Sequence, residues 1–153
     1  QNLLQRVQRL FAYGNFLKYS GLEGAQQLFE EALTFDVNGY LNDVPDPGTL
    51  DARTVRSSCF YELAVIECSR CEDATDSTEL TERDYSKSVE YLHLAISETT
   101  LRGGSSLPYF LKSYYTKLVE VHKLDGNSTE LARCEELLSA TLNEMKAKYP
   151  DLY

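Results

Sequence analysis

The chain has 153 residues, 42% of them hydrophobic, which is one domain's worth of sequence with enough apolar content to bury a core. A formal net charge of −9 disfavours nucleic acid, whose phosphates would be repelled, and is compatible with a basic protein partner. No apolar run approaches the ~18 residues of a membrane span, and residues 1–9 lack the apolar stretch and small-residue cleavage site of a signal peptide. A cytoplasmic or nuclear location is therefore expected. Because the chain begins at Gln1 rather than Met, it is expected to be a piece of a larger protein.

In chain order, six helices are predicted. The first covers about residues 3–19, with Leu3, Val7, Leu10, Tyr13, Gly14 and Leu17 on one stripe. Gly21 interrupts it, and a second helix follows over about 23–35. Residues 36–48 are rich in turn formers, among them Asn38-Gly39, Pro45 and Pro47-Gly48, and form an enlarged loop. The third helix is expected over about 51–72, carrying Val55, Cys59, Phe60, Leu63, Ala64, Ile66 and Cys68. An acidic loop follows. Thr81 and Asp84, spaced as in a capping box, are expected to open the fourth helix, and Gly103-Gly104 to close it. The fifth runs over about 107–124 with Pro108 in its first turn, and Asn127 with Glu130 marks the start of the sixth, which ends before Pro150. No strand-period alternation is sustained, so the fold class is all-α.

A short pattern recurs at the start of the even-numbered helices. It reads Leu22, Ala25, Phe29, Ala32, Leu33, then Tyr85, Ser88, Leu92, Ala95, Ile96, and more faintly Leu131, Cys134, Leu138, Thr141, Leu142. Offsets of 0, 3, 7, 10 and 11 put all five residues on one helical face, with small ones where a neighbouring helix can approach closely. Each copy follows another apolar-periodic segment, so the unit is a helical hairpin. Three are expected, over about 3–36, 51–99 and 107–149, within a single domain covering 1–153.

These residues resemble the tetratricopeptide repeat. The segment from Asp84 to Ile96 is similar to that family's second helix, as is Gly21 to Asp36 with its Phe29-Glu30-Glu31-Ala32-Leu33. The first-helix signature is represented by Leu10, Tyr13, Gly14 and Leu17, and again by Tyr115, Leu118, Val119 and His122; the third helix fits it starting at Phe60 or at Tyr61. Matching positions lie 63 and then 46 residues apart, against a family period of about 34, so the surplus falls in long loops and helices. The resemblance implies a right-handed stack of about three helix-turn-helix hairpins, closed by a C-terminal capping helix.

Nothing in the chain favours catalysis. There is no Gly-rich phosphate loop, nucleophile elbow or paired-histidine metal motif, so the protein is not expected to be an enzyme or to need a cofactor. His93 and His122 are out of local helical reach of each other and of any cysteine, and a structural role is expected for both. Cys68 and Cys71 form a C-x-x-C, but Cys59 and Cys134 do not supply the second pair a zinc site requires. Packed thiols are expected instead. Asn127-Ser128-Thr129 matches a glycosylation sequon, though a helix cap is its better use.

The resemblance also implies a function: non-catalytic binding of a protein or peptide, as an adaptor, scaffold or dedicated chaperone. The concave groove would be lined by Gln8, Phe11, Asn15, Lys18 and Tyr19 of the first helix and by Ser113, Thr116, Glu120 and Lys123 of the fifth. A heat-shock co-chaperone role is a minor alternative. Asn15 stands at one carboxylate-clamp position, but Phe11 replaces the clamp lysine and the third helix offers no Asn. Residues 62–84 hold eight acidic side chains against two arginines, and Glu72, Asp73, Asp76 and Glu79 are the expected contact for a basic partner. The rival reading is a structural subunit whose faces pack permanently inside a multiprotein assembly.

Overall fold

The computed structural model describes residues 3–35, 51–73, 84–104 and 106–151. Among them are six α-helices and no strand: α1 Leu3–Tyr19, α2 Ala25–Thr34, α3 Ala52–Asp73, α4 Ser86–Arg102, α5 Leu107–Asp125 and α6 Ser128–Lys148. The loop expected at 36–48 lies outside the described residues. So does Thr81.

Two of the helix connections are built alike. At the end of α1, the Leu22 amide donates to Leu17 O at 2.8 Å and the Gly21 amide to Lys18 O at 3.2 Å. At the end of α5, Asn127 donates to His122 O at 3.0 Å and Gly126 to Lys123 O at 3.3 Å. Both are Schellman turns, which satisfy the last carbonyls of a helix through a residue in the left-handed region. Gly21 (φ 69°) and Gly126 (φ 73°) fill that position, where a side chain would be strained. The chain then enters α2 and α6 respectively, and Asn127 Oδ1 caps α6 by accepting from the Glu130 amide at 3.2 Å.

The start of α4 differs from the expectation. The helix begins at Ser86, after non-helical Asp84 and Tyr85, and Asp84 Oδ1 accepts from the Ser86 amide at 2.9 Å. Smaller shifts occur at α2, which starts at Ala25 after Gly24 (φ 103°) rather than at Glu23. As a result Leu22, the first residue of the recurring pattern, precedes its helix and is 54% exposed. The other positions of that first copy behave as the periodicity requires: Ala25, Phe29 and Ala32 are buried and Leu33 is half-buried. In the second copy Tyr85, Ser88, Leu92 and Ala95 are buried; in the third, Cys134 and Thr141.

Packing follows chain order. The pairs α1–α2, α3–α4 and α5–α6 make the most extensive contacts, followed by α4–α5, α2–α3 and α1–α3. The small residues of the pattern lie where helices approach closely. Ser88 Oγ reaches across to donate to Ala64 O on α3 at 2.8 Å. Gly14 of α1 lies so near the Phe29 ring that an added Cβ would come within 2.7 Å of Phe29 Cε1.

The core falls into three clusters, and α3 contributes to each. Val55, Cys59 and Leu63 join Val7, Phe29 and Ala32. Ala64, Cys68 and Cys71 join Tyr85, Leu92, Leu118, Val121 and Cys134. Phe60 joins Ala95 and Tyr114. A helix with apolar residues around most of its circumference is buried on several sides, and α3 is that helix here. At roughly 1.5–3 kcal/mol for each fully buried large side chain, it is the main source of cohesion.

Candidate functional site

The expected groove residues occupy α1 and α5, and α3 lies between the parts that come together. Lys18 of α1 is ion-paired with Glu62 of α3, whose side chain is 8% exposed. Tyr19 Oη donates to the other carboxylate oxygen, Glu62 Oε1, at 3.4 Å, and the Lys18 ammonium sits 5.2 Å from the Tyr19 ring centre. The negative charge of Glu62, followed by partial burial, raises the Tyr19 phenol above its ordinary value, because a phenolate there would face a carboxylate.

An aromatic ribbon runs from α3 to α5. The Tyr61 and Tyr114 rings are 5.3 Å apart, Phe110 stacks on Tyr114 at 6.1 Å, and Tyr109 meets Phe110 edge-on at 5.5 Å. Tyr114 is buried, and its hydroxyl donates to Ser57 Oγ at 3.0 Å; Ser57 in turn donates to Thr54 O at 3.1 Å. Burial pushes the Tyr114 phenol up to about 12. Tyr61 is raised as well, first by burial and then by Glu62, Glu120 and Tyr109, so charges and rings from α3 and α5 converge on it. At its outer end Tyr109 is 58% exposed, and on the α1 side Tyr19 is 74% exposed. The arrangement offers exposed rings at Tyr19 and Tyr109, with a largely buried Lys18–Glu62 pair beside Tyr19.

The remaining groove candidates are more scattered. Phe11 is half-buried and packs on Phe29 with ring centres 6.0 Å apart, so it serves the α1–α2 contact. Gln8 is half-buried one turn earlier. Asn15 Oδ1 is buried without a hydrogen-bond partner among the described residues. On α5, Ser113 and Thr116 donate to the Tyr109 and Lys112 carbonyls of their own helix at 3.4 and 2.6 Å, and Glu120 accepts from Lys117 at 3.1 Å. Lys123 is exposed in the last turn.

Sequence reasoning missed Tyr61 and Glu62. Both belong to the third helix, which fits the repeat pattern from either Phe60 or Tyr61; Phe60 is buried and Tyr61 half-buried beside Tyr114. A signal was present: an acid inside the apolar run from Phe60 to Ile66, against a first helix that carries Lys18 and no acid. The same pairing changes the reading of the acidic stretch. Glu62 is neutralised by Lys18, and Glu67 accepts from Arg70 at 2.9 Å. Glu72 and Asp73 are exposed at the end of α3, while Asp76 and Glu79 lie outside the described residues.

The four cysteines are free and buried. Cys71 donates to the Asp84 carbonyl at 3.1 Å, tying the end of α3 to the approach of α4. Burial raises the Cys59 thiol to about 12, the opposite of what an activated thiolate requires. The two histidines, distant in sequence, line one pocket of about 350 Å³ between the start of α4 and the α5–α6 turn. Burial, and then the nearby His122, lowers the His93 imidazole. Among the described residues no group of three His, Cys, Asp or Glu side chains is disposed to hold a metal ion, and no helix is long and apolar enough to cross a membrane.

Set against models of known protein families, curated proteins and solved structures, the chain matches none of them.

Proposed function

We propose that this chain is a tetratricopeptide-like array, a right-handed succession of three helical hairpins closed by α6, that binds a protein partner without catalysis. The observation that carries the reading is the meeting of Lys18 and Tyr19, Tyr61 and Glu62, and Tyr109 to Tyr114 from the first helix of each pair. Side chains from alternate helices are linked in this way across α1, α3 and α5, with exposed rings at Tyr19 and Tyr109. The repeated Schellman turns after α1 and α5 and the chain-order packing support the array. Tyrosine suits an interface because its ring packs while its hydroxyl stays hydrated. A net charge of −9 favours a basic partner, an adaptor or scaffold role being the simplest form of this reading.

Photocrosslinking tests it. A photoreactive residue is placed at position 19, at 109, or at exposed Glu136 on α6. The reading expects one common partner to be captured from 19 and 109 in cell extract, and lost at high salt. Capture chiefly from 136, or of different proteins from 19 and 109, would overturn it.

A second reading, a built-in subunit of a multiprotein assembly, is favoured by one observation. Tyr13, Phe16 and Leu22, within ten residues at the end of α1 and the turn after it, are 55%, 60% and 54% exposed. On that reading crosslinks from position 16 would persist at high salt and in fixed stoichiometry.

A further inference from the structure

The pocket shared by the two histidines is unlike the aromatic face. Its walls include the carboxylates of Asp84, Asp125 and Glu130, the imidazoles of His93 and His122, and the Val89 side chain. None of the three carboxylates enters an ion pair among the described residues. Arg70 acts electrostatically on Asp84 and Arg133 on His93, but neither lines the pocket. His122 is only 4% exposed, and neither Nδ1 nor Nε2 has a hydrogen-bond partner among the described residues. Buried polar atoms are nearly always paired, so a buried ring with both nitrogens unmatched, beside carboxylates that have no ion-pair partner among the described residues, marks a place where a ligand belongs.

The chemistry of that ligand follows from the walls. Three carboxylates call for a positive charge. A metal ion is disfavoured by geometry, because among the described residues no three donors converge on one point. The volume of about 350 Å³ is far larger than a bare ion needs. A guanidinium group, by contrast, carries five N–H donors in a rigid plane and reaches acceptors that are spread apart. Its donors suit the spread carboxylates, the His122 ring lines the same pocket, and Val89 offers an apolar wall to the methylene stem. A lysine ammonium is a compact point charge and exploits dispersed acceptors less well.

We propose that the pocket formed by Asp84, Val89, His93, His122, Asp125 and Glu130 is a receptor for an arginine side chain of a partner protein. The proposal rests on the reading of the chain as a protein-binding module and gives that module a second contact, at the edge of the helices rather than on the aromatic face.

The test needs no partner. N-acetyl-arginine amide is titrated into the protein while the ring C–H resonances of His93 and His122 are followed by NMR. The matched compounds are N-acetyl-citrulline amide, which has the same shape without the charge, and N-acetyl-lysine amide. A saturable shift of the His122 ring by the arginine compound is expected, with citrulline at least about tenfold weaker and lysine weaker than arginine. The double variant Asp125→Asn/Glu130→Gln, in which Gln can still serve the first turn of α6, is expected to keep its melting temperature and bind arginine at least about fivefold more weakly. Absence of saturation, equal binding of citrulline, or lysine binding as tightly as arginine would each overturn the proposal. So would stoichiometric zinc binding that perturbs both histidines in a protein indifferent to arginine. Because positions 19 and 109 play no part in this titration, failure here and failure of the crosslinks at the aromatic face are separate results.

Discussion

Lys18 and Glu62 are a charge pair that the fold has drawn largely out of water, with side chains 20% and 8% exposed. Removing one partner of such a pair leaves a buried charge uncompensated, which costs more than the pair itself contributes. Lys18→Met keeps most of the aliphatic stem, so its cost of about 2–4 kcal/mol falls almost wholly on the stranded Glu62 carboxylate. The double variant Lys18→Met/Glu62→Gln is expected to recover most of that loss. Urea denaturation of the two single variants and the double one measures the coupling, and additive losses would show that the pair is not coupled. Asp51 makes a second residue-scale case. Its carboxylate accepts from the Thr54 amide and hydroxyl, both at 2.9 Å, and from Arg102 Nε at 2.5 Å, so it caps α3 and holds the end of α4. Burial works to raise this carboxyl, but the Arg102 and Thr54 hydrogen bonds outweigh it and hold it below the ordinary value. A lowered folded-state value means the native protein binds fewer protons than the unfolded chain. The stabilisation is then fully present above the unfolded value near 4 and is lost as pH falls through the folded one. Asp51→Asn, which retains a capping oxygen, is expected to cost about 1 kcal/mol at pH 7. The gap to wild type should narrow as pH falls below about 4; a gap that widens on acidification would contradict the sign.

At the scale of the elements, three glycines separate steric from conformational need. A glycine to alanine change inside a helix ordinarily stabilises by about 1 kcal/mol. Gly14→Ala is expected to do the reverse, destabilising by about 1–3 kcal/mol, because the new methyl meets a ring wedged between α1 and α2. The closest atom would be Phe29 Cε1, at 2.7 Å. Combining it with Phe29→Leu should relieve part of that cost. At Gly21 and Gly126 an added Cβ meets nothing within 4 Å, so the penalty of Gly→Ala there is the left-handed backbone alone, about 1–2 kcal/mol each. Thermal melts of the three variants decide the matter, and a stabilised Gly14→Ala would show that α1 and α2 pack less closely. These positions also show what the sequence discloses. Gly21 and Gly126 end periodic apolar stripes, and both α1 and α5 end next to them. At the start of α4 the spacing of Thr81 and Asp84 reads as a capping box, whereas Asp84 accepts from the Ser86 amide and the helix opens at Ser86, an offset that residue types alone do not fix. On α3 the two aromatics Phe60 and Tyr61 are adjacent on a helix buried around most of its girth, so apolar periodicity could not say which one packs against Tyr91 and Ala95 and which faces Tyr114. The juxtaposition of His93 with His122 depends on how α4 meets α5. No local pattern encodes that.

For the whole molecule, the consequence of this packing is an uneven distribution of stability. α3 supplies side chains to all three core clusters, so it cannot leave its place without dissolving each of them. α6 is differently placed. Its principal neighbour is α5, and of its 21 residues only Cys134, Thr141 and Met145 are buried. Proteins open in cooperative units whose free energies track their buried apolar contacts. α6 should therefore detach in a sub-global step while the α1–α4 core remains closed. Native-state hydrogen exchange is expected to show α6 amides in the interior turns exchanging faster than those of α3, with a denaturant dependence smaller than that of global unfolding. Met145→Ala, which empties a fully buried position at the far end of α6, sharpens the test. A loss of about 2–5 kcal/mol is usual for such truncations, but here the exchange of α6 should accelerate while protection of Leu63 and Ala64 on α3 changes little. If α3 and α6 amides instead lose protection together and by the same factor, the molecule unfolds as one unit and the terminal helix is integral to the core. An α6 that opens separately would also expose the far wall of the acidic pocket, since Glu130 lies in its first turn. Arginine binding at that pocket would then slow α6 exchange and leave α3 unaffected, linking the edge site to the least stable helix by mass action.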